Sequence, residues 1–299
     1  MHCPKCGFDQ PADFSECPRC GVVLARFRPV AAGGPGGEGS QPSPELLADL
    51  ARTTAARAAL RTELTARAVA LPAALVLAWL SVRAAPGAVR MLAMWVHESG
   101  HAAAAWLCGY LAWPGPWFTP VGTEPSRLLT LTLVGLLGYG AWQARERQRP
   151  FWLAAASATL LLVLACTFGL HPGQAQQFIV FAGDGGCFVL GTCLMLTVFA
   201  REEHPIRREH LRWAFLAIGA LAFMDAYATW SGGIAAVPFG ANDHGLSDPS
   251  VLAEEFGWSV LTLMRRYLQL AHACLAVLAA VAVLQILLPA LALRSSDQA

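Results

Sequence analysis

From residue 68 onward the chain is a succession of apolar runs, and this constrains its fold more than any other feature. The runs lie near 68–84, 91–111, 128–144, 151–170, 176–200, 213–232 and 260–293. About 30 Å of hydrocarbon needs some 20 apolar residues in a helix. The first and third runs are short by that measure. The last is longer than one crossing requires, and its Arg265–Arg266 pair belongs at an interface. Lipid offers no hydrogen bonds, so every backbone group must be satisfied within the segment and the runs are expected to be helices. The expected fold is therefore all-α: a polytopic transmembrane bundle of six to seven apolar runs. Only 14% of the residues are charged and 56% are hydrophobic, against about 25% charged in an ordinary soluble domain. The net charge of +1 provides no basic field for nucleic acid, which leaves the bilayer as the expected surrounding. The stretch 112–126, with Trp113-Pro-Gly-Pro-Trp117 and Thr119-Pro120, reads as a non-helical hairpin or re-entrant piece.

Arginines cluster in the N-terminal arm, in Arg145-Glu-Arg147-Gln-Arg149, from Arg201 to Arg212, and at Arg294, whereas 233–257 contains neither Lys nor Arg. The positive-inside rule then sets the arm, both arginine loops and the C-terminus in the cytoplasm, with 233–257 outside. This assignment is consistent with six full spans if 112–144 enters and leaves on one side. The chain opens on a polar, Cys-rich segment rather than a charged and apolar leader, so the first run is expected to act as an uncleaved anchor.

Ahead of the runs lie an arm at 1–27, a Gly/Pro/Ser-rich flexible linker at 28–44 and an Ala/Leu/Arg/Glu-rich juxtamembrane helix at 45–67; a short tail, 294–299, closes the chain. The arm holds Cys3-Pro-Lys-Cys6-Gly7 and Cys17-Pro-Arg-Cys20-Gly21. Two such knuckles converge four thiolates on one ion, and four sulfurs at about 2.3 Å make a closed, structural Zn²⁺ site. Two disulfides are the alternative, and they require an oxidising compartment. These residues resemble the short rubredoxin-like zinc ribbons that head many bacterial membrane proteins. The resemblance implies a structural or partner-docking role and a bacterial cytoplasmic membrane.

The second run contains His97-Glu98-Ser99-Gly100-His101. Residues i and i+4 share one helix face, so both imidazoles can bind one Zn²⁺ while Glu98 serves as general base. An acidic side chain at mid-membrane costs about 2.5–3.5 kcal/mol on insertion scales, which makes function the default reading of this cluster. The alternatives are hydrogen bonding to neighbouring helices, or haem ligation. In a later run Asp184 stands among Gly183, Gly185 and Gly186. Each interior glycine costs about 1 kcal/mol relative to alanine, so a close approach is expected there, either of a metal site or of a tightly packed helix. Asp225 is the rival acid. His272, Asn242-Asp243-His244 and the scattered Cys108, Cys166, Cys187, Cys193 and Cys274 read as packing or capping residues, with Cys187 one turn from Asp184.

His97-Glu-Ser-Gly-His101 in an early apolar run, with Phe181-Ala-Gly-Asp184-Gly-Gly-Cys187 later, resembles the site-2 protease family of intramembrane zinc metalloproteases. The Asp-Gly-Gly core matches that family, although its Asn/Pro-rich lead-in is missing. The resemblance implies Zn²⁺ held by His97, His101 and Asp184, Glu98 as base, a hairpin at 112–126 that presents substrate, and a membrane-spanning protein as that substrate. Two other functions remain open from the residues. One is an inactive scaffold or receptor whose ribbon binds a partner protein. The other is a peptidase whose third ligand is a glutamate from Glu254-Glu255.

The arm makes a separable prediction, because a segment so poor in apolar residues draws its folding energy from metal. A peptide of residues 1–27 is expected to bind one Zn²⁺ tightly and to gain structure on binding, as followed by calorimetry and circular dichroism. Replacing Cys17 and Cys20 by Ser should remove both effects.

Overall fold

The structure is a computed structural model that describes residues 3, 9, 15–17, 19, 20, 23, 43–242 and 245–291. The chain forms two compact units, Met1–Ala58 and Ala59–Ala299. In the first, Cys3 and Cys17 are buried, and the sulfurs of Cys3, Cys17 and Cys20 lie within 4.8 Å of one another. Cys6, most of the 28–44 linker, Asp243, His244 and the 294–299 tail lie outside the described residues.

Each of the seven apolar runs is mainly helical among the described residues, and the second leaves its helix at Leu107 and enters a strand at Tyr110. Helix α1 (Pro44–Ala84) merges the juxtamembrane segment with the first run. Helix α2 (Pro86–Leu107) carries both histidines. A hairpin of β1 (Tyr110–Ala112) and β2 (Val121–Pro125) follows. Then come α3 (Arg127–Glu146), α4 (Pro150–Gly169) and α5 (Pro172–Leu196). The short α6 (Pro205–Arg208) leads into α7 (Leu211–Ser231). A two-residue ribbon, β3 (Ala241–Asn242) with β4 (Gly245–Leu246), precedes the short α8 (Asp248–Glu254). Helix α9 (Val260–Ala282) continues through a π-turn at Val283–Leu287. Among the described residues, five helical stretches are long and apolar enough to cross a membrane: Leu47–Ala84, Pro150–Gly169, Pro172–Phe199, Leu211–Ser231 and Val260–Leu291. Helices α2 and α3, of 22 and 20 residues, are not among them. In α2 the polar Arg90, His97, Glu98 and His101 lower its hydropathy.

The Trp-Pro-Gly-Pro stretch forms the loop of the β1–β2 hairpin, as its helix-breaking residues require. The strands pair antiparallel, Tyr110 with Pro125 and Ala112 with Val121, with an irregularity between. Gly109 makes the turn from α2 in the left-handed region, φ 81°, where a side chain would be strained. The loop returns along α2, and Thr119 Oγ1 donates to the carbonyl of Glu98 at 3.0 Å.

Helices α2, α5 and α7 pack against one another, and α9 covers α5 and α7. Between α5, α7 and α9 the core is aromatic. Trp230 stacks on Tyr267 at 4.0 Å, Tyr267 stacks on Phe181 at 4.3 Å, and the Tyr267 hydroxyl donates to the Phe181 carbonyl at 3.1 Å. Helix α1 is tied in by Glu63, which pairs with Arg67, Arg207 and Arg212.

Glycine sets the distance between α2 and α5. A Cβ on Gly100 would collide with the Ala182 carbonyl and the Gly186 Cα, and one on Gly186 would collide with the Gly100 Cα. Small residues are what allow helix backbones to meet this closely. Replacing Gly100 or Gly186 by Ala should therefore destabilise the protein by about 1–3 kcal/mol, the usual cost of overpacking. Gly135→Ala, where nothing lies within 4 Å, should be neutral or slightly stabilising. Thermal unfolding in detergent reads the difference.

Candidate metal centre

His97 and His101 lie one turn apart on the buried face of α2, and their Nε2 atoms are 3.2 Å apart. The other nitrogen of each ring fixes its tautomer. His101 Nδ1 is 2.7 Å from the Ile179 carbonyl, which can only accept. His97 Nδ1 is 2.9 Å from Asp184 Oδ1. Both Nδ1 atoms therefore donate, and in the neutral rings both Nε2 atoms present lone pairs.

Those lone pairs meet a carboxylate that sequence reasoning did not single out. Asp248, the first residue of α8, brings Oδ2 to 3.0 Å from His97 Nε2 and 3.2 Å from His101 Nε2. With both rings neutral, three acceptors converging in this way repel one another unless a proton or a metal cation lies among them. Tetrahedral bonds of about 2.0–2.1 Å separate neighbouring ligands by about 3.3 Å, close to the three spacings here. The trio could thus hold one metal ion. Helix α8 is firmly seated. The buried Ser250 Oγ accepts from the Gly240 amide at 2.9 Å and from Ser247 Oγ at 3.1 Å, and Leu252 is fully buried.

The Gly-Asp-Gly-Gly segment of α5 serves the centre from the opposite side. A Cβ on Gly183 would lie 2.6 Å from both Nε2 atoms, so only glycine leaves room there. Asp184 was the expected third ligand. Its carboxylate instead faces the Nδ1 edge of His97, while its Oδ2 accepts from Trp230 Nε1 at 2.8 Å. Cys187 shares this side and, with His97 and Asp184, makes a second group close enough for a metal. The rival Asp225 is paired with Arg90 at 2.8 Å, and the same guanidinium reaches Asp184 at 3.9 Å. Arg90 lies seven residues before His97 on the same helix face, a spacing by which it could have been found. Asp248 had no such signal beyond standing in the polar 233–257 loop. Glu254 and Glu255 are exposed at the far end of α8, outside every metal-capable group among the described residues. His272 packs edge-on against Tyr227.

A cavity of about 440 Å³ opens onto the centre, with Arg90, Glu98, Trp117, Thr119 and Pro249 in its walls. Glu98 is buried, and its carboxylate makes no hydrogen bond or ion pair among the described residues. Compared with family models, curated proteins and solved structures, the chain matches none of them.

Arg90 neutralises carboxylates inside the bundle, so Arg90→Met should be costly. Removing one partner of a buried pair costs about 3–5 kcal/mol. The low end is expected here, because 35% of the Arg90 side chain is exposed. Thermal unfolding of Arg90→Met and of Arg90→Met with Asp225→Leu should show the second change restoring part of the loss.

Proposed function

We propose that this protein is an integral membrane zinc peptidase that cleaves a membrane-spanning protein in the cavity beside Glu98. The observation that carries the reading is the convergence of His97 Nε2, His101 Nε2 and Asp248 Oδ2 at 3.0–3.2 Å. Two imidazoles and one carboxylate are a donor set typical of hydrolytic zinc, with a fourth position left open. These three residues would hold the ion, so the third ligand moves from Asp184 to Asp248. Asp184 becomes the carboxylate that orients His97, a common partner of metal-bound imidazoles. When bound, zinc supplies Lewis acidity to a peptide carbonyl and lowers the pKa of water.

The chain's own groups do the rest. Glu98 takes the proton of the attacking water and returns it to the leaving nitrogen. Its carboxylate suits this work, being in a cavity wall with no hydrogen bond or ion pair among the described residues. The hairpin, tied to the Glu98 carbonyl through Thr119, borders the same cavity with Trp117 and Phe118, where an unwound substrate strand would lie. Five helical stretches suited to crossing a membrane support a bilayer setting. The arginine-rich arm and loops would lie on the cytoplasmic side, and the Asp248 loop on the other. The ribbon's Cys3, Cys6, Cys17 and Cys20 would carry a second, structural zinc.

Zinc content and proteolysis of a membrane substrate, measured on the purified full chain, test the proposal. Glu98→Gln should keep the zinc of the wild type and lose at least about 100-fold in rate. Asp248→Ala should lose one zinc per chain, whereas Asp184→Asn should only weaken that site, by about 10–100-fold. Unchanged proteolysis by Glu98→Gln would refute the peptidase. Zinc kept by Asp248→Ala and lost by Asp184→Asn would return the third ligand to Asp184.

A further inference from the structure

A second cavity, of about 270 Å³, lies away from the catalytic centre where α3 hands over to α4. Gln143, Arg147, Arg149 and Trp152 surround it, and Gly140 and Ala144 leave the space open. The turn that shapes it is defined. The Arg147 amide bonds to the Gln143 carbonyl at 3.0 Å, Gln148 takes the left-handed conformation at φ 51°, and the Arg149 amide returns to the Ala144 carbonyl at 2.8 Å. Arg147 and Arg149 both line this one notch.

Their charge is unopposed. Arg145, Arg147 and Arg149 form no ion pair among the described residues, unlike Arg67, Arg207 and Arg212, which share Glu63. Glu146, on the same turn, does not line the cavity. Around the notch the surface is aromatic and exposed: Trp142 at 55%, Phe151 at 73% and Trp152 at 53%. Tryptophans at the end of an apolar helix mark the headgroup level of a bilayer. Below them α4 presents an apolar surface, only 11% of its most apolar window being buried. A ligand here therefore meets positive charge at one end and hydrocarbon at the other.

We propose that this notch binds the phosphate of an anionic phospholipid, with Arg147 and Arg149 on the headgroup and an acyl chain along α4. The inference needs the helices to lie in a bilayer but does not depend on the peptidase. Arginine forks match phosphate oxygens two at a time. The arginine-rich side of a membrane protein faces the cytoplasm, where the leaflet is anionic. Free phosphate offers the same oxygens without the chain, and the test separates the two.

The full chain in neutral detergent is supplied with phosphatidylglycerol or phosphatidylcholine, and retained lipid is counted by native mass spectrometry. Wild type should retain phosphatidylglycerol preferentially. Arg147→Gln with Arg149→Gln should lose about thirtyfold in that retention, since each basic residue near the surface contributes about a factor of five. Arg201→Gln with Arg208→Gln removes equal charge from another exposed loop and should leave retention unchanged. Arg147→Lys with Arg149→Lys keeps the charge and should fall between. It also serves as the test if the Gln pair does not fold, as judged by thermal unfolding. Equal retention of the two lipids by wild type, equal loss in the Arg201/Arg208 control, or displacement of lipid by millimolar inorganic phosphate would each overturn the assignment.

Discussion

The site depends on how closely α2 and α5 approach. Gly100 and Gly186 meet backbone to backbone, and Gly183 faces the two imidazoles where any side chain would displace them. This contact puts the Asp184 carboxylate and the Ile179 carbonyl within hydrogen-bond reach of the two Nδ1 atoms. Each ring is thereby turned so that Nε2 faces Gly183 and the Asp248 carboxylate. One stretch of glycines thus settles a helix spacing, a pair of tautomers and the direction of two lone pairs.

Around that contact the bundle balances charges that an apolar interior would otherwise reject. Arg90 answers Asp225 and stands near Asp184. Trp230 holds the second oxygen of Asp184, and its ring is clamped by Tyr267, which in turn binds the Phe181 carbonyl. The order runs from aromatic packing among α5, α7 and α9, through Asp184, to the orientation of His97. Glu98 stands outside this network. Among the described residues its carboxylate makes no hydrogen bond or ion pair, which suits the general base proposed above.

Asp248 closes the centre from a different part of the fold. Its helix is short and comes from a polar loop, yet it is anchored by Ser250 and by the fully buried Leu252. The donor trio therefore joins a helix of the bundle core to a segment of the polar 233–257 loop. Pro238, Leu246 and Pro249 of that segment also wall the cavity, so the segment that supplies the third donor also shapes the way in.

What the sequence determined by itself followed from local chemistry. Apolar run length marked the seven long helices among the described residues, because a run that excludes water leaves the backbone no alternative to pairing with itself. The prolines of Trp113-Pro-Gly-Pro-Trp117 marked the hairpin, and the i, i+4 spacing of His97 and His101 put both rings on one helix face. The glycines at 183, 185 and 186 announced a close approach. Only the tertiary structure decided what approaches what. Asp184 and Asp225 are both acids in apolar runs, and nothing local separates one that steadies an imidazole from one that answers an arginine 135 residues away. Asp248 is a common type of helix-starting residue in a polar loop, and it gains its meaning only where α8 folds back over α2. Helices are written in neighbouring residues, whereas a metal-ready centre is an intersection of distant segments, and such intersections are set by packing.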